Sequence, residues 1–127
     1  MEMPVRPLPE EIRFTRDHSW IEMEDEFIGR CGLSGLLLDR LGDIVFVDFP
    51  EIGLPVRMGE KIARVESTID IFDVLSPVSG IIVGVNPDLA NDPGLMNRDP
   101  NRRGWLFMVD VSRVEEFTEL MTSDEYD

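Results

Sequence analysis

A lone histidine, a lone thiol and a lone lysine are the groups through which this chain could do covalent chemistry: His18, Cys31 and Lys61. His18 and Cys31 together would make a Cys–His nucleophilic pair. Their neighbours argue for structural roles instead. Cys31 stands between Ile28 and Leu33 in an apolar strand, the ordinary setting of a small buried thiol. His18 precedes Trp20 at a strand start, the place of a structural or exposed ring. The chain has no Gly-rich phosphate loop, no zinc-ligand spacing and no loop with the alternating oxygens of an EF-hand. Its carboxylates are numerous but fall in no motif. No catalytic residue and no metal ligand are therefore expected. Among the 12 basic residues Lys61 is the only lysine, so any function that needs a modified lysine has one candidate.

Twelve basic against 26 acidic residues leave a net charge of −14 over 127 residues. Nucleic-acid binding rests on Lys and Arg facing phosphates, so this balance argues against it. It equally disfavours an anionic membrane surface. No apolar run approaches the ~18 residues of a membrane span, and residues 1–9 hold no apolar stretch of signal-peptide length. With a single cysteine no intrachain disulfide can form. A cytoplasmic protein is expected. The acid serves either to keep the surface solvated or to favour a partner with a basic docking patch.

The elements that must position any site are mostly strands. From Arg13 onward the chain is rich in β-branched and aromatic residues with turn residues at short intervals. Ser19–Met23 and Phe27–Leu33 read as strands joined by the acidic turn Glu24-Asp25-Glu26. Ser34 is placed to cap a short helix over 35–41, and Gly42 to end it. Asp43–Phe49 reads as a strand whose Ile44, Val45, Phe46 and Val47 straddle the core with Ile62, Val65, Val74, Ile82, Val83 and Val85. Pro55-Val56 to Gly59 and Pro77-Val78 to Gly80 each lead into a β-rich strand, 22 residues apart, as in two related halves of one sandwich. Ser67-Thr68-Ile69-Asp70 is the tip of the hairpin between them. Residues 86–104 read as loop. Ser112-Arg113-Val114-Glu115 reads as a capping box opening a C-terminal helix over 113–121. The prolines of residues 1–12 read as an extended lead-in to one domain over 13–127.

Almost the whole stretch from Arg13 to Tyr126 resembles the H protein of the glycine cleavage system. The resemblance is carried, in order, by Phe14-Thr15 with Asp17-His18-Ser19-Trp20, by Leu41-Gly42-Asp43-Ile44-Val45-Phe46-Val47, by Pro50-Glu51-Ile52-Gly53, by Gly59-Glu60, by Val65-Glu66-Ser67 and by Pro77-Val78-Ser79-Gly80. Leu89, Pro93, Leu95, Asn97, Asp99-Pro100 and Gly104-Trp105 continue it at the family's spacing. The resemblance implies a mainly β, lipoyl-domain-like barrel-sandwich hybrid of two small sheets. It also implies a shuttle and not an enzyme. Lipoate is attached to a lysine at a hairpin tip, and the arm visits the decarboxylase, the aminomethyltransferase and the dihydrolipoamide dehydrogenase.

The match fails at the residue that carries the arm. The family reads Val-Glu-Ser-Val-Lys, whereas this chain reads Val65-Glu66-Ser67-Thr68-Ile69. Ile69 carries no amine, so no lipoyl amide can form there. Lys61 lies eight residues earlier, near the start of the strand. Glu66, Ser67 and Asp73 keep the motif around the lost lysine. Two positions that border the arm's cleft in the family have diverged: Ser19 stands where a Glu is usual, and Leu36 where a ring residue is usual. The expectation is a non-lipoylated H-like module with no cofactor. It binds proteins of glycine cleavage or lipoate handling, or a second copy of itself. The other readings are a genuine aminomethyl carrier lipoylated at Lys61 and, more remotely, a Cys31-dependent enzyme.

Overall fold

The computed structural model describes residues 11–126. The lead-in expected over residues 1–12 falls outside them as far as residue 10. Among the described residues, nine strands and five short helices follow one another as β1 (Ile12–Phe14), β2 (Ser19–Met23), β3 (Ile28–Leu33), α1 (Gly35–Leu41), β4 (Ile44–Asp48), β5 (Pro55–Val56), β6 (Lys61–Ser67), β7 (Ile71–Leu75), β8 (Gly80–Val85), α2 (Asp88–Asn91), α3 (Leu95–Arg98), β9 (Phe107–Val111), α4 (Val114–Thr118) and α5 (Ser123–Tyr126). Two sheets form, one in the order β1-β2-β3-β9-β8-β5 and one in the order β4-β6-β7, and neither closes on itself. Every pairing is antiparallel. The two halves suggested by the Pro-Val repeat end in different sheets, β6 in the smaller and β8 in the larger.

One apolar core lies between the sheets. Ile21, Leu33, Ile82, Phe107 and Val109 come from the larger sheet, and Ile44, Val47, Ile62, Val65 and Val74 from the smaller. Helix α1 closes one end with Leu37, Leu38 and Leu41. It starts and stops where the sequence signals. The Ser34 Oγ accepts from the Leu37 N–H at 3.2 Å, and Gly42 turns the chain out at φ 84°. Asn97 then anchors the helix-to-strand corner: its Nδ2 donates to the Gly42 carbonyl, and its Oδ1 accepts from the Ile44 N–H, both at 2.9 Å.

Four expectations are corrected. Val45 and Phe46 are not core, because the register between β4 and β6 slips between Ile44 and Phe46. The extra residue of a bulge breaks strict alternation, so both side chains face solvent. Val83 is exposed and Val85 half-buried beside a similar slip in β8. Residues 86–104 are not all loop: α2 and α3 form there as single turns that bury Leu89, Leu95 and Met96. The C-terminal helix does not run over 113–121. Ser112 does not cap it, α4 ends at Thr118, and Met121 instead pairs with Phe14 in an isolated bridge. The Met121 N–H donates to the Phe14 carbonyl at 3.0 Å and the reverse bond is 2.8 Å, so the chain leaves helical geometry to extend the edge beside β1.

Candidate functional site

The β6–β7 hairpin places Ile69 at its tip, and Ser67 builds that tip. The Ser67 N–H donates to the Asp70 carbonyl at 2.8 Å. The Ser67 Oγ accepts from the N–H groups of Ile69 at 3.2 Å and Asp70 at 3.0 Å. A serine hydroxyl that satisfies the backbone two and three residues on is a turn-forming device, so Ser67 has a structural role whether or not the tip carries an arm. The Thr68 N–H donates to the Asp43 carbonyl at 3.0 Å, which ties the tip to the corner before β4. Ile69 itself is 72% exposed. Removing it takes little from the core, so Ile69→Asp is expected to shift stability by no more than about 0.5 kcal/mol in a urea titration. Unfolding of that variant would place Ile69 among the core residues.

The other retained or diverged positions do not converge on Ile69. Glu66 lies on the outer face of β6, opposite Phe46 on one side and Ile71 on the other. Asp73, two residues further along β7 from Ile71, faces both basic residues of that sheet: the Lys61 Nζ lies at 3.3 Å and the Arg64 Nε at 3.4 Å from its Oδ1. All three side chains are about half exposed, where such pairs contribute roughly 0–1 kcal/mol, so they orient Lys61 more than they stabilise the fold. Ser19 is buried and donates from its Oγ to the Leu75 carbonyl at 3.3 Å. It links β2 to the end of β7. Leu36 is exposed on α1.

Asp73 and Leu36 line different hollows. Asp73 borders an open cleft of about 370 Å³ with Arg16, His18, Phe72 and Leu75. Leu36 borders one of about 270 Å³ with Phe14, Ser34, Asn101 and Tyr126. Tyr126 stands between them. Its hydroxyl lies 2.6 Å from the His18 Nδ1 and 2.7 Å from the Ser34 Oγ, and its ring stacks on Phe14 at 4.5 Å. His18 sits at φ 69° to reach it, a left-handed conformation that costs an L-residue roughly 1–2 kcal/mol. The Thr15 Oγ1 holds that turn by accepting from the Asp17 and Ser19 N–H groups at 3.2 and 3.1 Å. The sequence carried no signal for the Tyr126–His18–Ser34 contact beyond a lone tyrosine in the last turn.

The nucleophilic pair is not assembled. Cys31 is fully buried between Ile21 and Phe107 in the sheet register, and burial pushes its thiol well above the ordinary range, so the thiolate that would attack is disfavoured. His18 spends a ring nitrogen on Tyr126. Among the described residues no group of three or more His, Cys, Asp or Glu is arranged to hold a metal, and no helix is long and apolar enough to cross a membrane.

The residues at the tip do not fit covalent lipoate. A lipoyl amide needs a primary amine at an exposed turn, and the tip offers an isoleucine side chain there. The one lysine points along the outer face of β6 toward Asp73.

Comparison with known proteins places this arrangement. The family model described as "Glycine cleavage H-protein" matches residues 12–127. The glycine cleavage system H protein of Streptomyces coelicolor is 39% identical over 118 residues, covering 93% of each chain. That of Thermotoga maritima is 39% identical over 114 residues, covering 90% of this chain and 91% of its own. The crystal structure of a glycine cleavage system H protein from Mycobacterium marinum superposes with a TM-score of 0.84 at 37% identity, over 94% of this chain and 95% of the other. The fold is thus the lipoyl-domain-like fold that the resemblance implied. The chain belongs to the glycine cleavage H-protein family, a family of carriers and not of enzymes.

Proposed function

We propose that the chain is a non-lipoylated member of its family that acts by binding proteins, as a regulator of the glycine cleavage or lipoate-handling machinery or as part of another complex. The observation that carries this reading is Ile69: an intact, exposed hairpin tip has kept its turn-forming Ser67 and its neighbours Glu66 and Asp73 but presents no amine. Residues 13–127, with Ile12 added by β1, are read as one binding domain working in the cytoplasm without a bound cofactor. The family names favour a second reading, a working aminomethyl carrier. In this chain it would have to use Lys61, which is half exposed but sits near the start of β6 and faces Asp73 at 3.3 Å.

Intact-mass spectrometry after co-expression with a lipoate ligase separates the two. The expected result is the unmodified mass in the presence of lipoate, with a bona fide H protein in the same cells fully modified. A mass gain of one lipoyl group, mapped by peptide sequencing to Lys61, would establish the carrier reading and remove the other.

A further inference from the structure

Four large apolar side chains stand out from one end of the three-stranded sheet: Val45, Phe46, Ile69 and Ile71, at 54%, 52%, 72% and 55% exposure. The register makes them neighbours. Phe46 lies opposite Glu66, and Glu66 opposite Ile71, so the two apolar residues flank Glu66 two strands apart, ~10 Å. The bulge that breaks the β4 pattern turns Val45 out beside Phe46. Ile69 leans back across the end of β6: its Cγ1 and Cδ1 lie 3.9 Å from where a Cβ on Gly42 would sit. Exposed apolar residues scattered singly carry no meaning, but a group at one corner of a sheet marks a contact surface.

Along β4, β6, β7 and their tip, the charged residues at this end of the sheet are acidic. Glu66 stands inside the group, between Phe46 and Ile71, while Asp43 precedes β4 and Asp70 follows Ile69 at the tip; none of the three takes part in an ion pair among the described residues. The only basic residues on β4, β6 and β7, Lys61 and Arg64, lie toward the other end and both face Asp73. A second copy docked face to face would press carboxylate borders together on chains that each carry −14, and such like-charge juxtaposition costs several kcal/mol. An apolar group with one carboxylate in its midst and others at its border is complementary to an apolar protrusion flanked by cations.

We propose that this end of the β4-β6-β7 sheet docks a partner protein through an apolar protrusion flanked by Arg or Lys side chains. The proposal rests on the reading of the hairpin as a binding element, and names what it binds. Phe46 is its aromatic anchor, and the carboxylate border sets orientation and speeds encounter at low salt.

The test uses the full chain, labelled with nitrogen-15, and three synthetic peptides that share the centre Leu-Phe-Leu and differ in their flanks: two Lys on each side, two Ser or two Glu. The Lys-flanked peptide is expected to shift the amide signals of residues 43–46, 66 and 69–71. Its affinity should fall by about tenfold between ~0.02 and ~0.3 M salt, as screening shortens the reach of the border charges. The Glu-flanked peptide should leave the spectrum unchanged, and Phe46→Glu, shown to be folded by its own spectrum, should abolish the shifts. Equal binding of all three peptides, absence of binding by the Lys-flanked one, or shifts on another surface would overturn the proposal. So would a concentration-dependent dimer in sedimentation that Phe46→Glu dissolves. If the mass stays unmodified while the peptides miss the patch, this surface falls and the non-lipoylated reading stands; a lipoyl group on the wild-type chain removes that reading itself.

Discussion

Ile69→Lys is expected to gain the mass of one lipoyl group when co-expressed with a lipoate ligase, where the wild-type chain gains none. The exposed turn and Glu66 are already in place. The turn is closed by the Ser67–Asp70 backbone bond at 2.8 Å and by the Ser67 hydroxyl, and neither involves the side chain at position 69. The side chain there is the most exposed of the large hydrophobic residues among those described, so a lysine in its place extends into solvent with no core to disturb. Glu66 remains three residues before it. Thr68 stands where the family pattern has Val, and beyond the acceptor Ile71 and Phe72 replace small or polar residues of the family. Of these, Phe72 turns toward the core and leaves the tip clear, while Ile71 stays on the outer face. Modification should be unchanged in the double variant Ile69→Lys, Lys61→Arg, which fixes the site. A variant that folds and stays unmodified would mean that the ligase reads Thr68 and Ile71, and that this tip has lost the acceptor's shape as well as its amine.

The parts of this molecule that could be read from sequence are those decided within a few residues. Helix α1 is bounded by Ser34 and Gly42, whose capping chemistry is local, and its limits came out as read. The hairpin tip was legible for the same reason, since Ser67 and Asp70 close it between them. The bulge at Val45 was not, because a slipped register depends on both strands, and β4 alone reads as an unbroken apolar run. The cost of that misreading falls on function: Val45 and Phe46, assigned to the core, are half of the exposed apolar group. The C-terminal helix was read too long because Ser112 and Glu115 have the types of a capping box. In the structure Arg113 stands at the N-cap with no side-chain bond, and Met121 is held by Phe14. The divided cleft is a further long-range result. The Ser19 hydroxyl is bonded to a carbonyl 56 residues away, and Tyr126 reaches His18 across 108 residues.

Trp20→Ala should cost the fold more than any change at the tip. The indole is fully buried, and it lies so close to β3 that a Cβ on Gly32 would fall 2.7 Å from its ring carbons. Glycine at position 32 is therefore part of the tryptophan's site. The Nε1–H reaches two carbonyls, Leu33 at 3.0 Å and Pro100 at 3.1 Å, and so joins the strand before α1 to the loop after α3. Alanine removes the ring and this donor together, at about 3–5 kcal/mol for a buried Trp truncation. Trp20→Phe separates the two losses: it keeps most of the apolar volume and leaves the carbonyls without their donor, about 1–3 kcal/mol. Urea midpoints at constant slope would read both. A loss below about 1 kcal/mol for Trp20→Ala would contradict the burial, since even partial collapse of β2 onto Gly32 cannot recover a ring of that size. The expected order, Trp20→Ala far below Trp20→Phe and Ile69→Asp near wild type, would separate a scaffold held by its core from a tip free to change its chemistry. That separation is what allows a family fold to lose its lysine and keep its shape.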